Sequence, residues 1–286
     1  METFEFRGRT YHIKHDELID LELSGNKFRK LYTLIQTPSS KYKKIISYGG
    51  SQSNAMYSIS ALCKRKGWSF EYYTKTLSSE VEKSTHSNFA LSIKNGMLVK
   101  EVKHNEYDQT IQKLLEKKFD AETFLVKQGG AQKEAQYGIN NLALEIRKQF
   151  KNENINIITP SGTGTTAFYL AKELSEHKIY TTACVGQNEY LKDQIELLGE
   201  LPKNLTLLQS SKKYHFASLY KEFIELFLEF KKAGIEFDLL YAMKMWTTLI
   251  ENIDSVKGDI LYVHSGGLVG NESMLERYKY KGFYSE

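Results

Sequence analysis

From Lys44 onward the chain alternates short β-rich runs with amphipathic helical runs, and this order restricts the fold more than any other feature. IISY (45–48), FEYYTK (70–75), MLVKEV (97–102) and TFLVK (123–127) read as strands, separated by helical periodicity over 53–66, 84–95 and 107–118. Strands that follow one another through helices need crossover connections, so the order predicts a parallel sheet with helices on its faces. A second series repeats it: a helix over 133–150, the strand INIIT (155–159), a helix over 165–177, the strand IYTTACV (179–185), helices between 214 and 252, and a last strand DILYVHS (259–265). At 286 residues the chain is long for one domain. The expectation is an α/β protein with two open parallel-sheet domains facing each other, the smaller (32–131) inserted in the larger (1–31 and 132–286).

Composition narrows the function classes. Hydrophobic residues make up 41% and charged residues 26%, which suits a globular protein and not a disordered one. The net charge of +4 comes from 39 basic and 35 acidic residues spread along the chain, which predicts no nucleic-acid partner. The densest cations, around Lys43 and Arg65, read as solvated surface near helix ends. No apolar run reaches membrane-spanning length, and Met1 to Glu5 lacks a basic region followed by an apolar one, so a cytoplasmic protein with no membrane partner is expected. Cys63 and Cys184 lie in segments reading as helix and strand, without CxxC spacing or a His cluster; reduced structural thiols and no metal site are expected.

In such sheets ligands bind beyond the carboxyl ends of the strands. Four loops there are unusual: Ser24-Gly25-Asn26-Lys27, Gly49 to Asn54, Ser161 to Thr166, and His264 to Leu268. The 161–166 loop joins a strand to a helix and is made of glycines and hydroxyls, so its free amides and the helix dipole suit a single phosphate. It carries neither the P-loop lysine nor the dinucleotide glycine pattern, and a capped helix start without ligand explains it equally. Ser53 or Asn54 can likewise cap a helix, yet Ser51-Gln52-Ser53-Asn54 is also dense enough in polar groups for a small carboxylate or a phenolic oxygen. Lys27 follows a tight Gly-Asn turn, where an amine is held. A held amine, a one-phosphate cradle, an amide for a ring hydroxyl and a hydroxyl at another strand end meet the requirements of pyridoxal phosphate.

The motifs then occur in a known order. "LELSGNKFRKL", "ISYGGSQSNAMYS", "VKQGGAQKEAQYGINN", "IITPSGTGTTAF", "LLYAMKM" and "LYVHSGGLVG" together resemble the fold-type II pyridoxal-phosphate enzymes, and among them the 1-aminocyclopropane-1-carboxylate (ACC) deaminase and D-cysteine desulfhydrase family. The resemblance runs from about His12 to Gly270 and implies a tryptophan synthase β-like architecture. It implies Lys27 as the Schiff-base lysine, Asn54 beside the ring hydroxyl, and Gly162, Thr163, Gly164, Thr165 and Thr166 at the phosphate with Lys30 adding charge. Ser265 would reach the pyridine nitrogen. Ser53 and Tyr241 would be catalytic, and Ser51, Gln52, Ser53 and Tyr241 would bind a small amino-acid substrate.

Three departures from the family pattern stand out. Ala242 follows Tyr241 where deaminases carry a glutamate, Thr165 stands where many relatives have a second glycine, and little sequence precedes "YHIKHDEL", so an exposed flank is expected. Without an anion at position 242 the ring would be the weaker electron sink, which favours α,β-elimination of a thiolate over opening of a cyclopropane. The expected activity is therefore that of a D-cysteine desulfhydrase. ACC deamination is the same-fold alternative, and a catalytically weak binder of cofactor or amino acid is the alternative of another class. A homodimer is expected.

Overall fold

A computed structural model describes residues 1–23, 25–151 and 153–285, with all side chains among them except those of Glu80 and Glu82. Phe4, Phe6, Tyr11 and Ile13 point inward by strand alternation, and Arg7-Gly8, both with positive φ, close the two-residue turn between them. The result is an antiparallel hairpin of β1 (Glu2–Phe6) and β2 (Arg9–His15). Phe4 and Phe6 lie in an aromatic core with Phe230, Phe237 and Trp246.

The chain continues through α1 (Asn26–Lys30), α2 (Tyr32–Gln36), β3 (Lys44–Tyr48), α3 (Asn54–Lys66), β4 (Ser69–Lys75), α4 (Ser79–Lys83), α5 (Asn88–Lys94), β5 (Met97–Val102), α6 (Tyr107–Glu116) and β6 (Thr123–Val126). It then forms α7 (Ala135–Gln149), β7 (Asn156–Ile158), α8 (Thr165–Glu173), β8 (Lys178–Thr181), α9 (Asn188–Glu196), β9 (Leu205–Leu207), α10 (Lys221–Lys232), α11 (Ala242–Glu251), β10 (Ile260–His264) and α12 (Val269–Tyr280). Two sheets result, in strand order β1-β2-β10-β7-β8-β9 and β5-β4-β3-β6, with every pairing parallel except that of β1 with β2. The central strands β7 and β10 are buried at every residue, as expected for parallel strands covered by helices on both faces.

Several boundaries differ from the sequence expectation. The helix expected over 84–95 is confined to α5 (Asn88–Lys94), because the Ser87 hydroxyl caps its start by accepting from the Ala90 amide at 3.2 Å. The strand expected over 179–185 ends as β8 at Thr181, and one further parallel bridge pairs Ala183 with Ser161: the Ser161 amide donates to the Thr182 carbonyl at 3.3 Å and the Cys184 amide to the Ser161 carbonyl at 2.7 Å. Both cysteines are buried free thiols. The helices expected between 214 and 252 are α10 and α11, separated by residues 233–241. No helix among the described residues is long and apolar enough to cross a membrane.

The join between β2, α1 and α7 is ionic, with Arg29 and Asp16 buried and Glu145 open to solvent. Arg29, 5% exposed, donates to both carboxylate oxygens of Asp16 at 2.9 Å and to both of Glu145 at 2.7 Å, while Lys14 pairs with the same two acids. Gly138 lets α7 lie directly against α1, since a Cβ there would stand 2.0 Å from the Arg29 carbonyl oxygen. Removing one partner of such a network strands a charge in the interior. Arg29→Met is expected to lower unfolding stability by about 3–5 kcal/mol, read by urea denaturation; a loss under about 1 kcal/mol, the range of a solvent-exposed pair, would contradict the role given to the network.

Candidate functional site

The carboxyl ends of both parallel sheets open on a cavity of about 420 Å³, the size of an ordinary cofactor or substrate site. Lys27 lies at its wall. Gly25, with φ +62°, makes this possible: a Cβ there would stand 1.8 Å from the Ser265 carbonyl oxygen, and the Asn26 amide donates to that same oxygen at 3.1 Å. The turn before α1 is thereby pressed onto the loop after β10. Ser24 lies outside the described residues.

Lys27 is 9% exposed and donates from Nζ to Asn26 Oδ1 at 2.6 Å. Burial lowers its pKa to about 8, against the attraction of Asp238. Lys30, 7% exposed, donates to the Gly129 carbonyl at 3.1 Å; burial first, and then the neighbouring Lys27 charge, push its pKa well below the ordinary lysine value.

The loop after β7 supplies Gly162, Thr163, Gly164, Thr165 and Thr166 to the same cavity. Gly164 begins α8 in left-handed backbone (φ +72°), and a Cβ there would meet Ile195 Cγ1 at 2.3 Å, so glycine is required. Thr165 is fully buried and its hydroxyl shares a 2.9 Å hydrogen bond with that of Thr163, which gives the extra side chain a place. The Thr166 hydroxyl is buried without a partner, and so is that of Ser265. Both residues line the cavity.

From the loop after β3, Ser51, Ser53 and Asn54 line the cavity and Gln52 does not. Ser53 caps α3, accepting from the Met56 amide at 3.4 Å, and Asn54 Oδ1 accepts from Asn88 Nδ2 at 2.7 Å. Tyr241 lies against Gly162, with Cε1 3.4 Å from where a Cβ would be, and 5.1 Å from the Phe216 ring. Burial, and secondarily the Asp238 charge, raise its hydroxyl pKa above the usual value, so it stays protonated.

Asp238 was not anticipated from the sequence. It is 1% exposed and lines the cavity. Its Oδ1 accepts from the Leu240 and Tyr241 amides at 3.1 and 2.6 Å, and its Oδ2 from the Ala242 amide at 3.1 Å. Burial raises its pKa to about 6, opposed by those three amides and by Lys27. The sequence signal was an aspartate shortly before a helix start, and the boundaries of the helices between 214 and 252 were not placed. Ala242 is buried and does not line the cavity, whereas Asp238, four residues before it, does.

No family model matches the chain. It is 25% identical over 286 residues to a putative 1-aminocyclopropane-1-carboxylate deaminase of Thermotoga maritima, covering 92% of this chain and 90% of that one. It is 22% identical over 294 residues to the mitochondrial bifunctional D-cysteine desulfhydrase/1-aminocyclopropane-1-carboxylate deaminase of Arabidopsis thaliana, covering 92% and 73%. Among solved structures, an ACC deaminase homologue matches with TM-score 0.74 at 20% identity over 94% of this chain and 89% of that one. A pyridoxal 5'-phosphate-dependent aspartate racemase matches with TM-score 0.62 at 13% identity, over 93% and 87%. These structural likenesses define the fold, that of the fold-type II pyridoxal-phosphate enzymes. The sequence relatives carry the names ACC deaminase and D-cysteine desulfhydrase, and the chain is similar to them over 92% of its length.

The residues present fit the cofactor of that fold, pyridoxal phosphate. A buried amine of lowered pKa, a glycine-shaped loop at the start of α8, and two buried hydroxyls without partners converge on one cavity. An amine attacks an aldehyde only when neutral, so if Lys27 is that amine, the rate at which apoprotein captures pyridoxal phosphate is expected to rise about tenfold per pH unit up to about 8 and then level off. Stopped-flow absorbance reads this. A rise continuing towards pH 10, as for an unperturbed lysine, would contradict the burial argument.

Proposed function

We propose that the chain is a pyridoxal-phosphate-dependent lyase that converts D-cysteine to pyruvate, sulfide and ammonia by α,β-elimination. The observation that carries this reading is the Ser265 hydroxyl, buried and unpartnered in the cavity wall, with no side chain of residue 242 reaching that wall. When bound, the cofactor supplies an electron sink for charge developing at the substrate Cα. A neutral hydroxyl cannot hold a proton on the ring nitrogen as an anion does, so the sink is moderate. Asp238 does not take over that role in this reading, because three backbone amides already claim its carboxylate as the cap of α11. A thiolate that departs at once suits a moderate sink better than a cyclopropane bond that must be broken.

The chain's residues divide the work. Lys30 and the 162–166 loop hold the phosphate, and Asn54 meets the ring hydroxyl. Lys27, once displaced by substrate, moves the Cα proton, and its lowered pKa leaves an appreciable neutral fraction for this near neutral pH. Tyr241, held protonated, donates a proton on the substrate side, where Ser53 is a second hydroxyl in reach of the bound amino acid. Ser51, with the amides at the start of α3, takes the substrate carboxylate; Gln52 assists only through its place in that loop. In domain terms, residues 1–31 with 132–286 carry the cofactor and 32–131 close over the substrate.

Opening of ACC to 2-oxobutanoate and ammonia is the second reading, favoured by the name of the Thermotoga maritima relative. Comparison of kcat/KM separates the two. D-Cysteine is expected to exceed ACC by at least about tenfold, 1.4 kcal/mol of transition-state discrimination. Ala242→Glu, which adds an anion at the first residue of α11, is expected to narrow that gap. A parent protein that prefers ACC contradicts both the substrate and the electronic reasoning.

A further inference from the structure

Beyond the strand ends of β8 and β9, on the far side of the 182–190 segment from the main cavity, lies a second cavity of about 150 Å³. Thr182, Gln187, Asn188, Gln209 and Ser210 give it a polar lining, and its charged lining residues are Lys212, Lys213 and Lys244, with no carboxylate among the described ones. Lys212 is already paired with Glu222. Glu251, the last residue of α11, accepts from the amide and hydroxyl of Ser211 at 2.9 and 2.7 Å.

Lys244 differs from the other two lysines. It is 7% exposed, and its ammonium has no hydrogen bond or ion pair among the described residues. An amine buried in this way either gives up its proton or finds an anion. Burial does lower its pKa, and the nearest ionisable group, the Cys184 thiol, is itself pushed up to about 12 and supplies no charge near neutrality. The wall across from it is the start of α9, whose capping residue Gln187 makes no side-chain hydrogen bond to the first-turn amides. The Asn188 side chain is committed elsewhere, accepting from the Ala183 amide and donating to Leu208 O and Gln209 Oε1, which fixes the loop in place.

We propose that this second cavity binds a small oxyanion, a single phosphate or carboxylate group, held by the Lys244 ammonium and the first-turn amides of α9. The site backs directly on the main cavity: Val185 and Tyr190 face the main cavity while Gln187 and Asn188 between them face the second, and Lys244 lies three residues after Tyr241. An anion there would brace the wall that carries Tyr241. The inference does not depend on which amino acid the enzyme consumes.

The test is calorimetric titration of the holoenzyme with inorganic phosphate, and separately with acetate, at ionic strength held constant with chloride. The bound cofactor fills the main phosphate cradle, so added phosphate reports on the second cavity. Saturable one-site binding by either anion, with a dissociation constant on the order of 1 mM or below, is expected; the arm that saturates identifies the oxyanion class. Lys244→Met should weaken it at least about tenfold while the visible cofactor band persists. If that variant does not fold, Ser210→Asp, which sets a carboxylate in the cavity, should produce the same loss. Absence of saturation below about 10 mM, or unchanged affinity in the folded variant, overturns the proposal.

Discussion

Arg29 holds together the part of the molecule on which the site depends. Its guanidinium grips Asp16 at the end of β2 and Glu145 on α7 with two hydrogen bonds each; the Asp16 side is buried, where half-made pairing would be costly, and the Glu145 side reaches solvent. That clamp leaves the five-residue helix α1 little freedom. Lys27, two residues earlier, and Lys30, one later, must then point into the cavity, where both are desolvated. Gly25 and Gly138 are the complementary steric conditions: one lets the turn meet the Ser265 loop, the other lets α7 meet α1. A short segment unlikely to be helical by itself is thus fixed by tertiary contacts.

The electrostatics of the cavity follow from this placement. Two desolvated ammonium groups face a wall whose one buried carboxylate, Asp238, is shared between capping α11 and attracting Lys27. Each charge is disfavoured by burial and steadied by the other, so the site holds an amine that is readily neutralised. Phosphate-accepting amides and unpartnered hydroxyls lie at the other side.

Much of the fold was legible in the sequence because parallel strands covered on both faces are written as continuous apolar runs, and the helices between them keep their period. What was not legible depended on tertiary context. The β1 hairpin is announced only by Arg7-Gly8, a turn without the usual Asn-Gly pair. Beyond β8 the pairing narrows to the single bridge of Ala183 with Ser161, which no local propensity encodes. In the site, loops built from glycines and hydroxyls could be read in advance, and all but Gln52 of the residues so chosen line the cavity. Asp238 could not be, because its role comes from burial and from the amides of the residues that follow it.

The central claim is that Lys27, and not its equally buried neighbour Lys30, is the amine that takes the cofactor. Borohydride reduction of the holoenzyme followed by proteolysis and mass spectrometry tests it most directly. The account predicts a reduced pyridoxyl adduct on Lys27 in one-to-one amount with the chain. An adduct on Lys30, or on no lysine of the cavity, would contradict it.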